Sequence, residues 1–233
     1  MNETKAILDN PIWSALLSDN YAFGSGTDEV KLFDPEIAPF AGLNADTPEN
    51  FGTLFNLTEA SRTVVLFSPK PDLLTFPFEA VDKVPGYQMV FEAEPPVDGL
   101  EDDLDHLSEN DVPAMLALTQ LAKPGPFASR TVSFGGYRGI FDDGQLVAMG
   151  GQRLKAKGYT EISAICTHPD YSGKGYGRSI MHAVIRDIIS AGNTAYLHVR
   201  ADNNRAIALY QRLGFVIRSE MNFYVLNKTA LFV

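Results

Sequence analysis

Residues 166–179 read CTHPDYSGKGYGRS, and their centre, SGKGYG from Ser172 to Gly177, places glycines at alternating positions. Glycine loses more backbone freedom on folding than any other residue, so an ordered segment of this kind needs a reason to be ordered. Two phosphate-binding fingerprints fail here. A Walker A loop requires Ser or Thr after its lysine, but Lys174 is followed by Gly175; a Rossmann turn requires G-x-G-x-x-G and an acid about 20 residues on, but the spacing is G-x-G-x-G and Leu197 stands there. What remains is a strand ending near Thr167, a turn through His168 and Pro169, and a glycine-rich loop opening into a helix near Gly177. The first N–H groups of such a helix, with the positive end of its dipole, converge on one point and suit a pyrophosphate. A Cβ would hold the backbone off the phosphate oxygens, and Lys174 or Arg178 adds charge.

The flanking pattern supports that placement. YTEISAICT (159–167) reads as a strand, and Gly177–Ser190 as an amphipathic helix with Ile180, Met181, Val184, Ile185, Ile188 and Ile189 on one side. Gly192 and Asn193 end it, AYLHVR follows as a strand, and NNRAIALYQRLGF as a helix with Asn203 as N-cap and Gly214 just past its end. Upstream, VPAMLALTQLA (112–122) is helical in period and is stopped by Pro124 and Pro126, and YRGIFDDGQLVAMGGQRL is a hairpin turning at Asp143–Gly144. FVIRS and FYVLN read as two closing strands.

Before Leu104 the pattern is less regular. PIWSALL reads as a short helix, SRTVVLFS and YQMVFEA as strands, and Pro69–Pro85 as a Pro-rich separator. The proline pair and acidic run of EAEPPVDGLEDDLD (92–105) suggest a boundary, with a small α/β module over 1–100 and a second domain over 101–233. Charge follows the same division. Residues 1–103 carry 5 basic and 19 acidic side chains, whereas residues 104–233 carry 14 and 10. A small polyanion therefore belongs with the second part. The whole chain of 233 residues has net charge −10, which argues against nucleic-acid and anionic-membrane partners. One cysteine, Cys166, excludes an internal disulfide framework; with no leader-like N-terminus and no apolar run of about 18 residues, a soluble cytoplasmic protein is expected.

The runs THPDYSGKGYGRSIM and ADNNRAIALYQRLGF together resemble the acetyl-CoA-binding core of the GNAT N-acetyltransferase superfamily, and EISAICTHPDY is similar to its branch that contains glycine N-acyltransferase-like proteins. The resemblance covers Leu104–Leu226. It implies an α+β fold, a mixed central sheet flanked by helices, and an acyl-CoA-dependent enzyme moving an acetyl group from acetyl-CoA to a primary amine of a small molecule, by direct transfer in a ternary complex. It implies that Ser172, Gly173, Lys174, Gly175, Tyr176, Gly177 and Arg178 cradle the cofactor's pyrophosphate, that backbone groups of Ile165, Cys166 and Thr167 align its pantetheine arm, and that Asn203 touches it. The family usually has Arg or Gln where Ser172 stands, so one side-chain contact is lost or replaced. By the same resemblance Glu161 is the general base and Tyr210 the donor of a proton to the leaving sulfur.

Each role has a plainer competitor. Glu161 could simply pair with Arg153, Lys155 or Arg200; Tyr210 could be a core aromatic, and Asn203 only a helix cap. Cys166, among apolar neighbours, reads as a small buried residue rather than a nucleophile. His198 is a second candidate base, and Phe127 and Arg130, in KPGPFASRT, could touch the acceptor. The four histidines form no metal-ligand spacing, so no metal is expected. The expected partners are a small amine, cationic if the acidic first part attracts it, and at most a second copy of the chain. The different-class alternative is a CoA-binding sensor or accessory module without turnover.

Overall fold

The computed structural model describes residues 7–96 and 104–228. The reading of the N-terminal leader and most of the acidic run of the boundary, residues 97–103, lie outside these. In chain order the elements are α1 (Pro11–Leu16), β1 (Gly24–Gly26), β2 (Val30–Phe33), β3 (Ala41–Leu43), α2 (Pro48–Leu57), β4 (Thr63–Ser68), β5 (Glu79–Phe91) and β6 (Asp105–His106). There follow α3 (Val112–Ala122), β7 (Arg138–Asp142), β8 (Gln145–Ala156), β9 (Tyr159–Thr167), α4 (Tyr176–Ser190), β10 (Thr194–Arg200), α5 (Asn204–Arg212) and β11 (Phe215–Asn227). An eight-stranded mixed sheet in the order β4-β11-β5-β10-β9-β8-β7-β6 is the centre of the molecule, and β1-β2-β3 form a small antiparallel sheet beside it.

Local chemistry sets the ends of these elements. Proline at the start of α3 fixes φ where no N–H partner is needed, and the helix stops at Lys123 in the left-handed region before Pro124. In the β7–β8 hairpin Asp143 and Gly144 both have positive φ, 47° and 76°, the requirement of the two-residue turn that matches strand twist. Asn203 caps α5 through its side chain, which accepts from the Ala206 N–H at 3.1 Å, and Gly214 at φ 98° follows the helix.

The two faces of the large sheet carry different cores. On one, α4 buries Ile180, Met181, Val184, Ile185 and Ile188 against Met89, Ala148, Ile162, Leu197 and Val199, with α5 at the margin. Each such aliphatic side chain contributes about 1.5–3 kcal/mol by leaving water. On the other face, α1 and α3 pack with Phe33, Phe40, Phe134 and Tyr137 over Met149, Ala164, Cys166 and Tyr196.

Three expectations change. FVIRS and FYVLN are one strand, β11, because pairing with β5 carries the backbone through the polar residues between them, with a bulge between Ile217 and Ser219. Pro85 lies within β5 rather than ending a separator: it pairs with Asn222 of β11, and just past the end of β10, where Arg200 pairs with Gly86, its carbonyl accepts from the Ala201 N–H at 2.9 Å. The boundary near residue 100 divides charge but not the sheet. β5 lies between β10 and β11, and β4 pairs with β11.

Candidate active site

The large sheet has a fork. The parallel pair β9–β10 is in register only from Tyr159/Thr194 to Ile162/Leu197. Beyond it the strands part, and Ser163–Thr167 keep β8 on one edge while the other edge faces the opening. At the fork point Ala164 takes φ 56°, where a β-carbon is strained by about 1–2 kcal/mol. It belongs to a bulge: Met149 pairs with Cys166 and Gly151 with Ser163, so two residues of β9 oppose one of β8. The bulge re-aims the strand's edge into the opening, where it can pair an extended ligand as a further strand would.

The loop after β9 ends at the same opening. A 3-10 turn, Pro169–Tyr171, is capped by the His168 ring nitrogen accepting from the Asp170 N–H. Gly173 and Gly175 adopt φ 82° and 88°, and a β-carbon built on either meets nothing within 4 Å among the described residues. Gly177 faces only the Thr167 hydroxyl, at 3.7 Å. These glycines are thus not packing requirements. They hold left-handed turns and leave open space in front of the N-terminus of α4, where the Tyr176 and Gly177 N–H groups have no intrahelical acceptor. A pyrophosphate fits this cradle, so the residues suit an acyl-CoA. Lys174 supplies charge at the rim, its ammonium 4.3 Å from the centre of the Tyr171 ring, and Tyr171 stacks on Tyr176.

On the α1/α3 face of the fork stands a buried polar cluster. Arg153 donates two hydrogen bonds to Glu161, at 2.6 and 2.8 Å, and His198 Nδ1 lies 2.6 Å from Glu161 Oε1. An ionised carboxylate only accepts, so His198 carries its proton on Nδ1. The orientation of Gln88 agrees: Arg218 donates to its Oε1 at 2.8 Å, which leaves the amide N–H groups for the Leu8 carbonyl and for His198 Nε2, 3.0 Å away. Arg218 in turn donates to Asp9 at 2.6 Å. The chain of contacts therefore crosses β8, β9, β10, β5 and β11. Aromatic rings close over it, with Arg153 on Phe40 at 4.8 Å and the His198 ring edge-on to Phe67 at 4.8 Å.

These surroundings decide protonation. Burial alone would push the Glu161 carboxyl up, but Arg153 and then His198 hold it down to about 2. Burial lowers the His198 imidazole further than Glu161 raises it, so the ring is neutral at pH 7. A carboxylate held ionised in this way takes up a proton poorly, which weighs against Glu161 acting alone in the general-base role that the resemblance implies. Of its three possible partners it has Arg153, while Arg200 pairs with Asp202 and Lys155 points toward Gly135. The link to His198 is invisible in the sequence because it joins residues 37 positions apart, and its Gln88 support lies 110 positions from His198.

The remaining expected residues distribute as follows. Tyr210, on α5, packs against the α4-side core with its ring 6.1 Å from Phe215, and burial pushes its hydroxyl up to about 12. Asn203 spends its side-chain oxygen on the helix cap. Burial likewise pushes the Cys166 thiol up to about 12, so it is un-ionised at neutral pH. Phe127 lies against Tyr137, ring centres 5.8 Å apart. Arg130 instead pairs with Asp34 at 2.7 Å and tethers its loop to the first part of the chain. Among the described residues no group of three or more His, Cys, Asp and Glu side chains could hold a metal, and no helix is long and apolar enough to cross a membrane.

Comparison with known proteins agrees with this geometry. The family described as FR47-like protein matches residues 137–224. The [Ribosomal protein bS18]-alanine N-acetyltransferase of Salmonella typhimurium is 32% identical over 117 residues, 47% of this chain and 77% of that protein. The mycothiol acetyltransferase of Streptomyces coelicolor is 36% identical over 76 residues, 32% of this chain and 25% of that protein. A putative acetyltransferase of the GNAT family from Novosphingobium aromaticivorans superposes with a TM-score of 0.89 at 32% identity, covering 96% of this chain and 99% of that one. With the fork, the bulge and the glycine loop in place along the same residues, the chain belongs to the GNAT family of N-acetyltransferases.

Proposed function

We propose that the chain transfers an acetyl group from acetyl-CoA directly to a small primary amine. The observation that carries the reading is the coincidence of the β9–β10 fork with the glycine loop at the N-terminus of α4. Bound there, acetyl-CoA supplies the acyl thioester. Backbone N–H groups of the segment Gly173–Gly177 hold the pyrophosphate, with Lys174 and Arg178 adding charge and Ser172 leaving the contact to the backbone. The free edge of Ile165, Cys166 and Thr167 aligns the pantetheine arm, and Asn203 lies at the start of the helix that flanks it.

The acceptor enters on the α1/α3 face. The amine nitrogen forms the new C–N bond as the C–S bond breaks. Its surplus proton passes toward the Glu161–His198 pair, where His198 Nε2 takes it up once the Gln88 amide N–H turns away, and Glu161 orients the imidazole and stabilises it when charged, a base-and-orienter arrangement. Tyr210 donates a hydrogen bond to the departing sulfur. Its hydroxyl, near 12, is a weaker acid than a thiol near 8.5, so it stabilises the developing thiolate rather than protonating it outright. Direct transfer is supported by the un-ionised, buried state of Cys166. A small acceptor is supported by Phe40 and Phe67 closing over Arg153, contributed by the first part of the chain.

A second reading, acetylation of a peptide α-amine, is favoured by the relative that acts on a ribosomal-protein alanine. Titrating the protein calorimetrically with acetyl-CoA, and then following thiol release with butylamine, alaninamide and an alanine-terminated peptide, separates the readings. Micromolar binding corresponds to about −8 kcal/mol. Turnover of the small amines alone supports the first reading, turnover of the peptide alone the second, and binding without release in any mixture leaves only the sensor.

A further inference from the structure

Tyr137, just before β7, is only 2% exposed, and its hydroxyl is buried with no hydrogen-bond partner among the described residues. Leaving such a group unpaired costs about 1–3 kcal/mol, which a phenylalanine in the same space would avoid. The ring is placed deliberately by its neighbours. Gly135 and Gly136, at φ 80° and 65°, turn the chain inward, and the ring then lies across Gly151, where a β-carbon would come within 2.5 Å of it. Gly151 pairs with Ser163, the residue next to the strained Ala164 at the fork. Tyr137 therefore shares a face of β8 and β9 with Cys166, in one buried cluster, and it feels the charges of Arg153 and Glu161. Burial and Glu161 together outweigh Arg153, so the phenol stays protonated at any physiological pH.

We propose that Tyr137 is a substrate-contacting residue on the acceptor side of the fork, its phenolic oxygen accepting a hydrogen bond from the N–H of the incoming primary amine. This rests on the acetyl-transfer reading above. The neighbouring acceptors are already engaged: Glu161 receives Arg153, the Leu154 N–H and His198, and His198 Nε2 faces Gln88. The phenolic oxygen has its lone pairs open. Phe127 packs edge-on against the ring, the centres 5.8 Å apart.

The test is Tyr137→Phe, which keeps the ring and its packing. Three quantities are compared with the wild type: the thermal unfolding midpoint, acetyl-CoA affinity by calorimetry, and thiol release with butylamine, alaninamide and the alanine-terminated peptide. The proposal expects an equal or higher midpoint, affinity for acetyl-CoA within twofold, and kcat/KM for the amine lower by roughly 10- to 100-fold with much of the loss in KM. An unchanged kcat/KM in a wild type that turns over overturns the proposal alone. A lower midpoint also overturns it, because the hydroxyl then has a structural partner. A wild type that releases no thiol with any acceptor overturns the acetyl-transfer reading as well.

Discussion

At the scale of single residues, the cluster around Glu161 combines a stability role and a chemical one, and the two can be separated. Replacing Glu161 by Gln leaves Arg153 as a buried charge with no counter-ion; breaking such a pair costs about 3–5 kcal/mol, so the unfolding free energy of E161Q should fall by that order in denaturant titration. A loss below about 1 kcal/mol would mean the pair is a solvated one. Acid should act in the same direction. Both folded-state pKa values in the Glu161–His198 pair lie below their unfolded values, so protons bind the unfolded chain more readily. The His198 contribution is complete above about 6.5 and declines as pH falls through its lowered value, and that of Glu161 is complete above about 4.5 and is lost toward 2. Unfolding midpoints measured from pH 8 to 4 should drop below pH 6.5, and a flat profile would contradict the buried neutral imidazole. With His198 as the proton acceptor, the acid limb of kcat/KM also lies below 6.5; a limb above 7 assigns the proton elsewhere. Tyr210→Phe should lower kcat by roughly 10- to 100-fold and leave acetyl-CoA binding nearly intact, and equal turnover would reduce Tyr210 to a core aromatic.

At the scale of elements, β9, its glycine loop and α4 form a unit that local sequence chemistry specifies almost completely, and for that reason it was legible. YTEISAICT gives the bounds of β9 as observed, α4 begins one residue earlier than its apolar stripe indicates, and the Asn203 cap and Asp143–Gly144 turn stand where their side chains and backbone preferences put them. The bulge at Ala164 was not legible. An alanine carries no sign of a left-handed backbone, and only pairing with β8 on one side and the loss of β10 on the other imposes it. In the loop, glycine is required by φ and not by crowding, and in the proposed function by the closeness of the pyrophosphate. Gly175→Ala should therefore cost only about 1–2 kcal/mol of stability while weakening acetyl-CoA binding by tenfold or more, read by calorimetry on the folded variant. Binding equal to wild type would show that the cradle lies elsewhere.

At the scale of the whole molecule, the first part of the chain was the least legible, because what organises it is partnership with residues over a hundred positions away. Its charge and proline content suggest an attached module, and α2 with the β1–β3 sheet went unread, since strands of three and four residues offer no alternation to recognise. Yet Phe40 and Phe67 cover the polar cluster, Asn20 receives the Lys155 N–H at 2.7 Å, and Thr131 donates to the Ile37 carbonyl at 2.6 Å. Most decisively, β5 is inserted between β10 and β11, pairing with both. Removing residues 1–100 would strip β10 and β11 of their shared neighbour, expose Leu197 and Phe215 beside it, and delete Gln88, which fixes the His198 tautomer. The fragment 101–233 should accordingly show no cooperative thermal transition and bind no acetyl-CoA, although it contains every residue of the glycine loop. Supplying residues 1–100 as a separate chain should restore both, because the missing strand can pair from outside as it does from within. If 101–233 alone instead melts cooperatively and binds acetyl-CoA with wild-type affinity, the boundary drawn from charge is a true domain boundary, and the insertion of β5 contributes to shape without being needed for folding.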